Sequence, residues 1–271
     1  MNGNTGRTQA WLWLTVPIAI SLTIAAGGGL FVDGLYRDTT IFAVQAVGQD
    51  LITLAVAIPV LIISAILASR GSHRARIIWM GVLVYLVYSY TVAAFMVRFN
   101  PLFLVYVALF GCSLYALIGG IATTDLADIK ARFTEKTPVK AVSIFLAVLV
   151  VFFYSLWLSE IVPALIMGNI PQSVIDTETP TNAIHVLDMA WLLPAMGLSS
   201  FWLWRKRELG YTLAGALLTF VPILGLAIMS MILYMKRYDQ PVSTEQTAIF
   251  GIVSAVGLGM LIWYLKGLRE S

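Results

Sequence analysis

Between Asp50 and Arg70 the chain reads LITLAVAIPVLIISAILAS (residues 51–69), nineteen residues without one charged side chain. A hydrocarbon layer about 30 Å thick is crossed by about 20 apolar residues wound as an α-helix, at a rise of about 1.5 Å each. Only a helix or a closed barrel satisfies every backbone polar group in lipid, and a continuous apolar run of this length selects the helix. Outward from it, with the run itself taken as 50–69, comparable runs lie near 11–32, 77–97, 101–121, 141–162, 186–204, 209–234 and 246–265. The reading is an all-α integral membrane protein, a bundle of about eight transmembrane helices forming a single membrane domain over residues 1–271.

Composition agrees. Charged residues are 11% of the chain and apolar ones 59%, whereas soluble domains carry roughly 25% charged residues. The spans leave only short loops, two of them longer (122–140 and 163–185), so no soluble domain is expected. The first span has one preceding Arg and a small-residue run, Ala25-Ala26-Gly27-Gly28-Gly29, as a signal peptide would. Its apolar run of about 22 residues is too long for one, and it is read as a span. The glycines lack the context of a phosphate-binding loop and read as a site of close helix packing.

Lys and Arg are retained on the cytoplasmic side of membrane proteins. With the N-terminus cytoplasmic, the inner segments carry thirteen of the seventeen basic residues, Arg7 and the Arg205-Lys206-Arg207 cluster among them. The outer segments carry four: Arg37, Arg98, Lys236 and Arg237. The expectation is a multi-pass protein of a plasma (inner) membrane with both termini cytoplasmic. The formal charge of +3 is thus a topology signal and not a nucleic-acid surface. Acids run the other way, nine of fourteen lying outside or at the outer boundary, so the outer mouth is expected to attract cations.

The two halves resemble each other in order, which predicts two parallel four-helix repeats, 11–121 and 141–265. Asp50, Pro59, Arg70 and Gly81 are matched by Asp188, Pro194, Arg205 and Gly215, with eleven residues from proline to arginine in both halves. Ala108-Leu109-Phe110-Gly111 is matched by Ala248-Ile249-Phe250-Gly251, and Asp33 by Glu160. Eleven residues place Pro59 and Pro194 roughly 16 Å from the inner boundary, near the midplane, and Pro222 lies about as deep. Prolines there free a carbonyl and bend the helix, as in a helix lining a cavity or gate; many membrane helices carry such prolines without a role.

Four acids flank or enter spans: Asp33, Asp50, Glu160 and Asp188. Asp188 lies about 25 Å from the inner boundary by helix rise, and His185, three residues before it, shares its helix face. A charge at such depth pairs or faces water; the candidate partners are His185, Arg98 and the span-three tyrosines Tyr85, Tyr88 and Tyr90. One reading gathers Asp50, Asp188, His185, Glu160, Asp33, Arg98 and Tyr88 into an outward-open polar pocket for binding or acid–base work. If such a pocket held a metal, the ligands would be Asp50, His185, Asp188 and Glu160, mostly oxygens, because only two His exist and His73 falls on the opposite side. The plainer reading makes Asp50 and Asp188 helix N-caps. Thr181 or Asn182 reads as the cap of span six, and 39–49 either extends span two or lies along the surface.

No motif indicates a cofactor. There is no Walker loop, G-x-S-x-G elbow or H-E-x-x-H pair. The single Cys112 excludes an internal disulfide and a Cys-based zinc site. Trp11, Trp13, Trp202, Trp204 and Trp263 sit near span ends, as interfacial anchors do. The partners expected are the lipid bilayer and a small solute or cation, with no nucleic acid. The leading functional expectation is a small-solute or cation transporter with an acidic outer vestibule. The alternatives are a membrane-embedded enzyme with an outer Asp/Glu/His site acting on a lipid or small apolar substrate, and a non-catalytic sensor or accessory subunit.

Overall fold

A computed structural model describes residues 10–270. Arg7, and with it the expected side of the N-terminal segment, lies outside the described residues. Among the described residues, eight helices are long and apolar enough to span a membrane: α1 Ala10–Phe31, α2 Thr40–Ser69, α3 His73–Met96, α4 Phe103–Ala122, α6 Val139–Met167, α8 Ala183–Trp204, α9 Glu208–Arg237 and α10 Thr244–Lys266. Two short helices lie between spans, α5 (Leu126–Arg132) and α7 (Gln172–Thr177). Apart from one isolated antiparallel bridge, Phe133 with Leu268, all regular structure among the described residues is helical. Large apolar side chains such as Trp13, Phe31, Leu104, Val151 and Ile166 point outward. On a soluble protein such a surface would aggregate; facing acyl chains it is the matching solvent.

The bundle is organised around α3 and α9. Of their most apolar windows, 78% and 61% of residues are buried, against 22% for α6 and α10. The two pack directly at small residues, Gly81 of α3 against Ala216 and Thr219 of α9. Around this pair, α2, α4 and α8 pack on α3, while α2, α8 and α10 pack on α9.

The segment 39–49 extends span two: α2 starts at Thr40, with Thr39 accepting from the Phe42 N–H (3.4 Å). Likewise Asn182 caps α8, accepting from the Ile184 N–H (2.9 Å). Asp50 therefore lies ten residues into α2 and Asp188 five residues into α8, and neither caps a helix. Both helices open into a π-helical turn, Thr53–Ala57 in α2 and Asp188–Leu192 in α8. Ile58 N–H bonds to the Thr53 carbonyl and Leu193 N–H to that of Asp188, each five residues back. The proline follows at once in each helix, Pro59 and Pro194. A proline ring collides with the carbonyl four residues earlier, and the wider turn relieves this at Ala55 and Ala190. Pro222 lies inside α9, and Pro163, which sequence reasoning left aside, inside α6.

The two ends of the bundle are closed differently. At the basic end the C-terminal segment is bound in place. Arg269 N–H bonds to the Arg132 carbonyl (3.0 Å) and Thr134 N–H to that of Gly267 (2.9 Å). The Glu270 carboxylate caps α3 in trans, accepting from His73 N–H (3.1 Å), Arg74 N–H (2.9 Å) and Ser72 Oγ (2.9 Å). Partial burial pushes this carboxyl up, but the three donors together with the Arg74 charge outweigh it and hold it below its ordinary 4.5. A depressed folded value contributes stability above the unfolded pKa and loses it as pH falls through the folded one. Glu270→Gln is expected to cost about 1 kcal/mol at neutral pH, with the wild-type advantage fading below pH 4.5. Thermal unfolding at pH 7 and in the acid range checks this.

At the acidic end, hydrogen bonds join three loops. Arg98 Nη2 pairs with Glu178 (2.6 Å), its backbone N–H with Asp38 (2.8 Å) and its Nη1 with the Arg37 carbonyl (3.2 Å). Thr39 Oγ1 bonds to the Asp176 carbonyl (2.9 Å), seating α7 over the start of α2.

Candidate functional site

Of the acids expected to share one pocket, Asp50, Asp188 and Glu160 fall into two clusters on opposite sides of α3. Tyr88 and Tyr90, two residues apart, project about 200° apart on a helix, one toward each cluster.

The first cluster surrounds Asp50, which is buried among α1, α2, α3 and α4. Tyr36, from the loop after α1, donates to Asp50 Oδ2 at 2.5 Å. Burial and the adjacent carboxylate push the Tyr36 phenol far above its usual range, so it stays a donor. Tyr90 and Tyr106 lie within electrostatic reach of the same carboxylate. Asn100 Nδ2 reaches Tyr106 at 3.4 Å. One turn along α2, Thr53 Oγ1 and Tyr85 Oη meet at 3.1 Å. Gly29 of α1 makes room: a Cβ there would stand 1.8 Å from Asp50 Oδ2. The close packing read from Gly27-Gly28-Gly29 is thus specific, helix backbone against a buried carboxylate.

The second cluster surrounds Asp188, at the junction of α3, α6 and α8. Trp157 Nε1 donates to Asp188 Oδ2 (2.8 Å), and the same indole packs on the His185 ring, centroids 4.6 Å apart. His185 Nε2 is 3.5 Å from Glu160, whose other oxygen accepts from Ser173 N–H (2.9 Å) and so holds α7. His185 and Asp188 share a face and both approach α6, Asp188 through its bond from Trp157 and His185 with its Nε2 3.5 Å from Glu160 but without a hydrogen bond among the described residues. Tyr88 stands beside the Asp188 carboxyl. Even so, Asp188 Oδ1 is buried with no hydrogen-bond partner among the described residues.

Asp188 borders a cavity of about 300 Å³ lined by α2, α3, α6, α8, α9 and α10. Most of the wall is apolar. Phe153, Trp157, Phe220 and Phe250 supply rings, and Met196, Met231 and Met235 thioethers. Phe153 of α6 and Phe250 of α10 approach to 6.0 Å between centroids. The polar exceptions besides Asp188 and Trp157 are Gln45, Gln49, Gln246, Tyr88 and Ser89. Pro222 is flanked by the lining residues Val221 and Leu224.

The remaining expected site residues stand apart. Asp33 is exposed in the loop after α1. Arg98 is at the surface with Glu178 and Asp38. Asp50, His185 and Glu160 do not line the cavity. Among the described residues no three His, Cys, Asp or Glu side chains converge to hold a metal ion.

No family model, curated protein or solved structure matches this chain. The site therefore has to be interpreted from its own chemistry. Two members eluded sequence reasoning. Trp157 had a usable signal, since it precedes Glu160 by three residues and shares its helix face. Tyr36, in a loop fourteen residues before Asp50, had none.

Proposed function

We propose that this chain is a multi-pass transporter or permease for a small solute or cation, in a plasma membrane with the basic end cytoplasmic. One observation carries the reading: Asp188, one of whose buried carboxylate oxygens has no hydrogen-bond partner among the described residues, borders a cavity inside the bundle. An uncompensated buried acceptor costs stability, and at membrane depth such a group marks a ligand or ion path. The irregular turns support it. Spans interrupted at corresponding positions of two halves point to a transport site, and π turns recur at functional positions.

The reading includes a duplication with a revised pairing. The π turns correspond at an offset of 135 residues, Thr53 with Asp188, as do Pro59 with Pro194 and Arg70 with Arg205. The turns that end α2 and α8 obey the same offset. Ser72 N–H bonds to the Leu67 carbonyl (3.1 Å) and Arg207 N–H to that of Trp202 (2.8 Å), across the left-handed Gly71 and Lys206. At this offset Asp50 corresponds to His185. The two buried carboxyls are then not equivalents, and only the second half has its acid on the cavity wall.

Current measured on proteoliposomes adsorbed to a solid support, challenged in turn with sodium, potassium and a series of organic ammonium ions, tests the function. The expected result is a signal with at least one cation that falls about tenfold or more in Asp188→Asn, the loss of a charge-assisted contact. A response no larger than that of empty liposomes, or one unchanged in Asp188→Asn, would overturn the reading.

A further inference from the structure

Resting on the transport reading of this cavity, we infer that its ligand is an organic monocation with an apolar body, a quaternary or protonated amine, bound with its charge at Asp188 and its body among aromatic and Met side chains. The wall contains a single carboxylate, which matches one positive charge. Among the described residues no basic side chain lines the cavity, so a ligand cation would supply the counter-charge that Asp188 lacks. The surroundings disfavour an inorganic ion. A hard cation takes six or more oxygens at about 2.0–2.6 Å, and here three Gln, one Tyr, one Ser and one Asp are distributed over α2, α3, α8 and α10.

The apolar wall suits an organic body instead. Trp157, Phe220 and Phe250 bring aromatic rings to the cavity wall, and such rings attract a cation whose charge is spread over methyl or methylene groups. Met196, Met231 and Met235 adapt to an irregular apolar shape. Gln45 donates to the Met235 sulfur (3.3 Å), a weak bond that a ligand can displace. Trp157 holds Asp188 Oδ2, which leaves Oδ1 as the oxygen without a partner among the described residues.

The probe is benzyltrimethylammonium, permanently charged, compared with its neutral isostere neopentylbenzene. Both are measured by equilibrium dialysis on the full chain in lipid nanodiscs, corrected for uptake by empty discs. The wild type is expected to bind the cation about tenfold or more tightly than the isostere, a difference of about 1.4 kcal/mol. Asp188→Asn is expected to remove that preference and Asp188→Glu to keep it, with each variant's melting temperature reporting that it is folded. Equal binding of the two probes, or a preference that survives Asp188→Asn, would overturn the inference and leave an apolar pocket suited to an acyl chain. The proteoliposome currents separate the ligand class from the transport function. Preference for the cation without current from any ion would remove the transporter and keep the ligand class. An Asp188-dependent sodium or potassium current with no probe preference would remove the ligand class and keep the transporter.

Discussion

Replacing Gly29 by alanine is expected to destabilise the protein by about 3 kcal/mol, the upper end for overpacking a tight interior. The added Cβ would lie 1.8 Å from Asp50 Oδ2 and 2.8 Å from Tyr36 Oη. The Asp50 side chain is buried and held by the Tyr36 hydroxyl at 2.5 Å, so it gives way only by breaking that bond. The clash is with a side chain, so a second change can relieve it: Asp50→Ala in the Gly29→Ala background is expected to recover most of the loss. Thermal unfolding of the single and double variants in detergent measures this. Equal stability of Gly29→Ala and wild type would show that α1 and α2 separate freely and that the Asp50 cage is not rigid.

A comparable loss, about 2–3 kcal/mol, is expected from Gly81→Ala at the α3–α9 crossing, but without rescue. There a Cβ would meet the Ala216 carbonyl oxygen at 2.5 Å and Thr219 Cβ at 2.4 Å. Trimming Thr219 to alanine leaves both a Cβ and the backbone carbonyl in place, so the helices themselves would have to part. Because α3 and α9 are the most enclosed spans, such a shift would also disturb the cavity wall formed by Tyr88 and Phe220, whose rings meet edge-on at 5.7 Å. The same unfolding measurement on Gly81→Ala and Gly81→Ala/Thr219→Ala checks it; rescue by the second change would place the strain in the side chain alone.

The two glycines differ in how legible they were. Gly29 stood in a conspicuous run, and close packing was a fair expectation, although the partner could have been any helix. Gly81 was matched with Gly215 as a repeat position, whereas its physical role is to let α9 approach. Trp79 shows the opposite case. Its position near a span end would suit an interfacial anchor, yet it is buried, and its Nε1 bonds to Thr15 Oγ1 at 2.9 Å. Trp13, Trp204 and Trp263 are exposed as anchors should be.

What the sequence by itself determined is one-dimensional. Apolar run length set the number of long helices, because lipid thickness and helix rise convert directly into residues. Helix rise also gave an expected depth for Asp188 and the prolines, and the eleven-residue spacing in both halves marked the prolines that follow the π turns. What only the tertiary structure decided is angular. Asp50, Asp188, His185 and Tyr88 are expected at similar depth from helix rise, but depth does not say which neighbour a helix face meets. In a membrane almost every face is apolar, so no amphipathic stripe reports the rotation of a span. The rotation of α3 directs Tyr90 to Asp50 and Tyr88 to Asp188, dividing one expected pocket into a closed tyrosine cage and an open cavity. Trp157 of α6 bonds to one oxygen of Asp188 and leaves the other without a partner among the described residues, through a contact between residues 31 positions apart that only the packing of α6 on α8 creates.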